Sequence, residues 1–372
     1  MTQRSPYLVN RAFRSYLAAT VMSTMAVSFG TMLGSIVVGN VMGPTALGAV
    51  NVMMPIIQLL AALNALINIG GATVMAVNVG RGRTDEVRGI FTKSMSISLA
   101  VSVAIAVVGV LFIDEIMPFL CTDPELMDMA KEYGLLVFAM SPLFVIMPGL
   151  GAYVRTDNSP RLAMASFIAM NATDLVLSFV FMEYLDMSLT GFALGTGIGY
   201  VVGLAVLAPH FIGRDRAIGI GRGSVRSSEI LTMGAPTALG MGMIMVNMLG
   251  INLLVMDHLG SDGMAIRSVC TNVQMISSIF VSGISQTLQP VGGSLYGSED
   301  LTGMRMVVGI ATKYQLAVAG VVTLVTLIAP TVFLTLYGVT DPSIHDAAVR
   351  DLRLFAPYIL FQAANYFIMV IY

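Results

Sequence analysis

Three polar side chains, Asn171, Asp174 and Ser178, interrupt a long apolar stretch running from about Leu162 to Met182. On an α-helix, positions three and four apart share a face, so the three form one polar stripe. Asp174 lies ~13 residues into the stretch, which at 1.5 Å per residue sets it near the middle of a bilayer. A charge at that depth costs about 2.5–3.5 kcal/mol on insertion scales. Such groups usually face a cavity or a bundle interior and mark ion or proton relays. Burial in a low dielectric favours a neutral carboxyl group, and a bound cation favours the ionised form. A carboxylate held between those influences can exchange H+ or Na+. The blander reading is that Asp174 only ties helices together, accepting hydrogen bonds from donors such as Ser28, Thr31, Ser35 or Asn40. Asp174 is the only acid well inside any of the first six apolar segments, which favours the relay.

Other polar residues inside apolar segments are candidates for a cavity lining. Gln58, Asn64 and Asn68 are spaced for one side of the second segment, and Gln274, Gln286 and Gln289 punctuate the eighth. Tyr314, Gln315 and Gln362 could serve in the same way. Of these, Gln58, Asn68, Gln274, Gln286 and Tyr314 are taken as the weak cavity set, although each on its own is more often packing. The two cysteines, Cys121 and Cys270, and the three histidines, His210, His258 and His345, lie far apart, so no metal site, nucleophile–base pair or cofactor site is implied. An enzyme is not expected.

The elements that must position these residues are membrane spans. The chain is 56% hydrophobic and 11% charged, against roughly a quarter charged in a soluble domain, and its mean hydropathy is +0.84. Several apolar runs exceed the ~20 residues that cross a hydrocarbon core. The net charge of −2 gives no reason to expect nucleic acid. The 29 methionines suit helix interfaces or an adaptable apolar cavity. Hydropathy with charge punctuation predicts ten helices, at roughly 14–39, 47–79, 90–113, 133–154, 161–182, 188–212, 230–256, 264–292, 306–337 and 353–372. With the N-terminus inside, 15 of the 19 Lys and Arg residues fall on the inner side and 4 on the outer. That bias predicts a multi-pass protein of the cell membrane with a cytoplasmic N-terminus.

Residues 122–130, TDPELMDMA, and 340–348, TDPSIHDAA, share a T-D-P-x-x-x-D-x-A pattern at an offset of 218. Gly80 and Arg88 match Gly297 and Arg305, and Thr92-Lys93 matches Thr312-Lys313, with similar offsets. Duplication follows, with a six-helix lobe over 1–212, a basic Gly/Ser-rich linker over 213–229, and a second lobe over 230–372. An even number of spans makes the repeats parallel. The second lobe shows four spans where the first has six, so roughly two final helices are expected beyond this sequence. The reading is an all-α polytopic membrane protein on a plan of two parallel six-helix bundles.

Three stretches carry a family resemblance. GNVMGPTALGAVNVMMPI, from Gly39 to Ile56, resembles the first loop of the multidrug and toxic compound extrusion (MATE) transporters. YVRTDNSPRLAM, from Tyr153 to Met164, is similar to their loop between spans four and five, and SGISQTLQPVGGSLYG, from Ser282 to Gly297, to their eighth span. The resemblance covers essentially the whole chain. It implies two six-helix bundles around a central cavity open alternately to each side, with inward H+ or Na+ flux driving export of amphipathic, often cationic, compounds. It implies membrane lipid and small molecules as partners, and a monomer. Two departures stand out. Gly34 occupies the place of an acid that family members often carry in span one. In span five, Asp174 stands at the usual Asn position and Ser178 at the usual Asp position. The alternative of the same architecture is a flippase for a lipid-linked precursor, but that function calls for basic residues inside the spans, and this chain has almost none.

Overall fold

The computed structural model describes residues 6–121, 124–212, 217–336 and 342–371. The Thr-Asp pairs at 122–123 and 340–341, on which the repeat leans, and linker residues 213–216 lie outside the described residues. Every regular element among the described residues is helical, as the apolar composition predicts. The first half comprises α1 (Pro6–Val41), α2 (Gly43–Val52), α3 (Met54–Asn64), a π-helical stretch (Ala65–Ile69), α4 (Gly70–Gly80), α5 (Thr84–Leu111), α6 (Ile113–Leu120), α7 (Pro124–Ala139), α8 (Ser141–Thr156), α9 (Pro160–Glu183) and α10 (Ser188–Leu207). A short 3₁₀ turn, Ala208–Phe211, then leads to α11 (Ser227–Gly297), α12 (Leu301–Ile328), α13 (Pro330–Leu336) and α14 (Pro342–Ile371). Six of the described helical segments are long and apolar enough to cross a membrane, or seven if the bent α7–α8 pair is one span.

Several boundaries differ from the sequence reading: α14 begins at Pro342 rather than near 353, the stretch expected at 306–337 breaks between α12 and α13, and two further differences have a local physical cause. The fourth span is two helices bent by 48°. The break falls at Met140, because Pro142 has no N–H to continue the helix from α7 and instead sits in the first turn of α8. The separate spans expected at 230–256 and 264–292 are one continuous helix of 71 residues. The polar GSDG stretch at 260–263 contains no proline, and a glycine weakens a helix by only about 1 kcal/mol without removing a donor.

The described chain falls into two compact units. One comprises Met25–Ala238 with Gly293–Asp300. Its core is a cluster that includes Met53, Tyr133, Phe138 and Leu189, and a second that includes Met75, Phe91, Tyr153 and Leu207. The other unit comprises Met1–Thr24, Leu239–Gly292 and Leu301–Tyr372. It is built around Val273, Val281, Ala319, Leu352 and Ile359. Polar clasps tie its helices: Gln315 Nε2 donates to the Ala363 carbonyl at 2.6 Å, and Thr20 Oγ1 lies 2.9 Å from the Gly283 carbonyl.

Helices α9 and α10 pair along their length in the first unit. The sequence SLTGFALGTGIGYVVG puts glycine at 191, 195, 199 and 203, a four-residue repeat that lies along one helix face. Small residues let membrane helices approach closely. A Cβ at Gly195 would fall 2.4 Å from Ser178 Oγ and 2.6 Å from Ser178 N, and one at Gly199 would fall 2.7 Å from the Met170 carbonyl and 3.1 Å from Asp174 Cβ. Removing the Cβ atoms is what brings α10 against the polar stripe of α9.

Candidate functional site

Asp174 sits half-buried in the middle of α9, a candidate membrane span. Ser178, one turn on and buried, donates from Oγ to Asp174 Oδ1 at 3.0 Å. Thr196 of α10 donates from Oγ1 to the same oxygen at 2.9 Å. Both hydroxyls also lie near the Phe192 carbonyl, Ser178 at 3.2 Å and Thr196 at 3.1 Å. A hydroxyl has one proton. Each can therefore turn toward the carboxylate when that group is charged and toward the carbonyl when it is not. With Oδ1 taken by two donors, Asp174 Oδ2 has no hydrogen-bond partner among the described residues. On α7 and α10, the Tyr133 ring stacks on Phe192 with centroids 5.9 Å apart, and the Tyr200 ring meets Phe144 edge-on at 4.7 Å.

Asn171 shares the face but forms no bond to Asp174. Its Nδ2 donates back to the Phe167 carbonyl at 2.8 Å, and its amide packs on α1 at Gly30, where a Cβ would fall 2.1 Å from Oδ1. Three of the four donors anticipated on the first span are engaged within α1. Thr31 donates to the Val27 carbonyl, Ser35 to Thr31 and Asn40 to Ile36. Gly34 faces the Phe192 ring at 3.5 Å from the position of a Cβ. The donor from another helix is therefore Thr196. Its TGIG context is a small-residue signal legible in sequence, but its register against Asp174 is not.

The cavity candidates are dispersed. Gln58 is exposed on α3. Asn68 is fully buried: its Nδ2 donates to Asn64 Oδ1 at 3.0 Å and to the Val145 carbonyl at 3.2 Å, while Ser98 Oγ donates to its Oδ1 at 2.8 Å. Asn68 thus clasps α5 and α8 and has no free face. Ser94, Ser98 and Ser102 form a buried stripe on α5, and Ser141 donates to the Ser102 carbonyl at 3.0 Å. In the other unit, Gln274 Nε2 reaches the Tyr358 hydroxyl at 3.5 Å and Gln362 Nε2 donates to Ser278 Oγ at 3.2 Å, so α11 and α14 share a polar seam. Gln286 is half-buried and Tyr314 exposed.

The described part of the linker is fastened to the first unit. Asp157 accepts from the Ala217 N–H at 3.0 Å, the Ile218 N–H at 3.2 Å and His210 Nε2 at 2.9 Å. Glu86 accepts from the Ser224 N–H at 2.8 Å and the Val225 N–H at 3.2 Å, and Thr92 Oγ1 accepts from Gly221 at 3.0 Å.

Known proteins share the fold of this chain. The family model described as MatE matches residues 19–180 and 236–371. The multidrug export protein MepA of Staphylococcus haemolyticus is 22% identical over 282 residues, which is 74% of this chain and 62% of the relative. The chain therefore spans less than two thirds of that relative's length. A MATE family multidrug resistance transporter of the MOP superfamily, solved in an outward-facing conformation, superposes with a TM-score of 0.88 at 19% identity, over 100% of this chain and 84% of its own. A MOP superfamily transporter from Pyrococcus furiosus superposes with a TM-score of 0.87 at 19% identity, over 100% of this chain and 85% of its own.

Proposed function

The chain belongs to the MatE family, and on that premise we propose that it is a secondary transporter exporting amphipathic, cationic small molecules across the cell membrane. Export proceeds by alternating access and is coupled to inward movement of H+ or Na+. The N-terminus faces the cytoplasm, and the working unit is a monomer in membrane lipid. Support for export comes from the multidrug exporters that the chain resembles. Support for coupling comes from one observation above all: a carboxylate within a candidate membrane span has one oxygen held by Ser178 and Thr196 and the other without a donor among the described residues.

A proton or Na+ at Oδ2 neutralises Asp174, and the two hydroxyls then turn to the Phe192 carbonyl. Loss of the cation leaves an anion that draws both hydroxyls back. The coupling ion thereby biases the contact between α9 and α10, the kind of differential interaction that a conformational change requires. Asn171 and Ser178 are placed with Asp174 in the cation-coupling group, Asn171 through its packing on Gly30 of α1 and Ser178 by direct hydrogen bonding. Gln58, Asn68, Gln274, Gln286 and Tyr314 remain the proposed cavity set, with Asn68 the least suited because all its bonds go to neighbouring helices.

The test is ion-driven efflux of a cationic dye from vesicles carrying the full-length protein. Asp174→Asn keeps an acceptor oxygen for Ser178 and Thr196 while removing the titratable charge. It is expected to fold as the wild type and to lose the response to an imposed H+ or Na+ gradient. Wild-type efflux with unchanged ion dependence would sink the coupling role.

A further inference from the structure

A second polar site lies far along the chain from Asp174, where the turn between α4 and α5 meets the start of α11. A cavity of about 310 Å³ opens there, lined by Arg81, Arg83 and Arg226 together with Asn78, Glu86 and Glu229. All of these residues belong to one compact unit. The three arginines are exposed, and none forms an ion pair with a described carboxylate. Of the two acids, Glu86 is engaged by the Ser224 and Val225 N–H groups and the Ser224 hydroxyl, which leaves Glu229 as the one uncommitted carboxylate.

The backbone adds to the positive character. Arg83 is the N-cap of α5 and Arg226 the N-cap of α11, and neither helix has a side-chain cap hydrogen bond. Two helix N-termini thus set their positive dipole ends beside the cavity, offset in part by Asp85, Glu86 and Glu229 in their first turns. Asn78, only 3% exposed, sits in the wall with Nδ2 donating to the Val74 carbonyl at 2.9 Å. Guanidinium groups match phosphate geometry in pairs of parallel hydrogen bonds. The candidate spans on either side end at Gly80 and begin at Thr84, so the cavity lies at their ends rather than within an apolar stretch.

We propose that this cavity binds a phosphate group, carried by an anionic phospholipid or free in solution. Full-length protein in phosphatidylcholine nanodiscs is titrated with phosphatidylglycerol, read as retained lipid by native mass spectrometry, and with inorganic phosphate, read as thermal stabilisation. The variants are R81Q/R83Q/R226Q and, as a control on general surface charge, Arg161→Gln. The triple variant is expected to bind its probe about tenfold more weakly or worse, and Arg161→Gln like the wild type. Phosphatidylglycerol retained in the presence of millimolar phosphate identifies a headgroup site, and loss of that lipid to phosphate identifies a free-phosphate site. Glu229→Gln removes the uncommitted negative charge and is expected to tighten binding severalfold, which keeps the test open if the triple variant fails to fold. Equal binding of both probes by wild type and triple variant, or an equal loss with Arg161→Gln, overturns the proposal. So does unchanged binding by Glu229→Gln.

Discussion

Replacing Gly195 by alanine tests the packing on which the Asp174 site depends. In an exposed helix interior this substitution stabilises by about 1 kcal/mol, because glycine has the larger entropy to lose. Here the new Cβ falls 2.4 Å from Ser178 Oγ, 2.6 Å from Ser178 N and 2.8 Å from Ser178 Cα. The side-chain oxygen can rotate away, but the backbone atoms cannot. An ordinary carbon contact is ~3.5–4.0 Å, so α10 must retreat by roughly 1 Å. Overpacking of that size costs about 1–3 kcal/mol. The same retreat lengthens the 2.9 Å Thr196–Asp174 bond beyond hydrogen-bond range. Purified Gly195→Ala is therefore expected to melt several degrees below the wild type, and its ion-driven efflux is expected to fall. Ser178→Ala in the same chain does not restore stability, because the clash is with backbone. Gly320→Ala is the comparison: among the described residues no side chain or neighbouring helix lies within 4 Å of that Cβ, and its melting temperature is expected to stay level or rise. If Gly195→Ala melts at or above the wild type, the close approach of α9 and α10 is wrong and the geometry of the site falls with it.

Asn68→Leu is expected to destabilise the protein by about 1–3 kcal/mol in detergent unfolding, because it strands the buried Ser98 hydroxyl and leaves the Val145 carbonyl without its cross-helix donor. Unchanged stability with altered substrate selectivity would instead make Asn68 a cavity residue. Asp157→Ala removes the acceptor of the Ala217 and Ile218 N–H groups and of His210. The expected result is limited tryptic cleavage at Arg222 about tenfold faster than in the wild type, from the loss of roughly 1–2 kcal/mol of linker docking. An unchanged cleavage rate would show that Glu86 and Thr92 hold the linker without it.

Helix existence was legible because hydropathy is a property of each segment alone. The span expected at 161–182 is α9 at Pro160–Glu183, and charged or proline-bearing turns bound it on both sides. Interruptions were less legible. Pro142 stops a helix while Pro148, six residues later, sits inside α8 without breaking it. What separates them is whether neighbouring groups re-satisfy the freed carbonyl, a tertiary matter. Asp174 announced itself by its cost in lipid. Ser178 followed from helical spacing, since both residues are on one helix. Thr196 did not, because a contact between α9 and α10 depends on the turn between them. That turn is set by the Met187 N–H bonding to the Phe181 carbonyl at 3.0 Å and by positive φ at Asp186 (49°) and Ser188 (53°). No residue in it is a glycine or proline that would flag such geometry.

The glycine repeat and the carboxylate explain one another. In lipid no hydrophobic force draws two helices together, so association relies on close packing and on polar bonds across the interface. Four glycines on one face of α10 weaken that helix by about 1 kcal/mol each relative to alanine, a disadvantage that only the close approach to α9 offsets. The approach in turn sets Thr196 within 2.9 Å of Asp174, where a larger residue at 195 or 199 would hold it out of reach. A charge on Asp174 strengthens the bond across the interface and a bound cation weakens it. Under the proposed coupling, the ion acts on a contact whose closeness depends on having no side chains at 195 and 199, and the expected consequence is a small relative movement of α9 and α10 each time the cation binds or leaves.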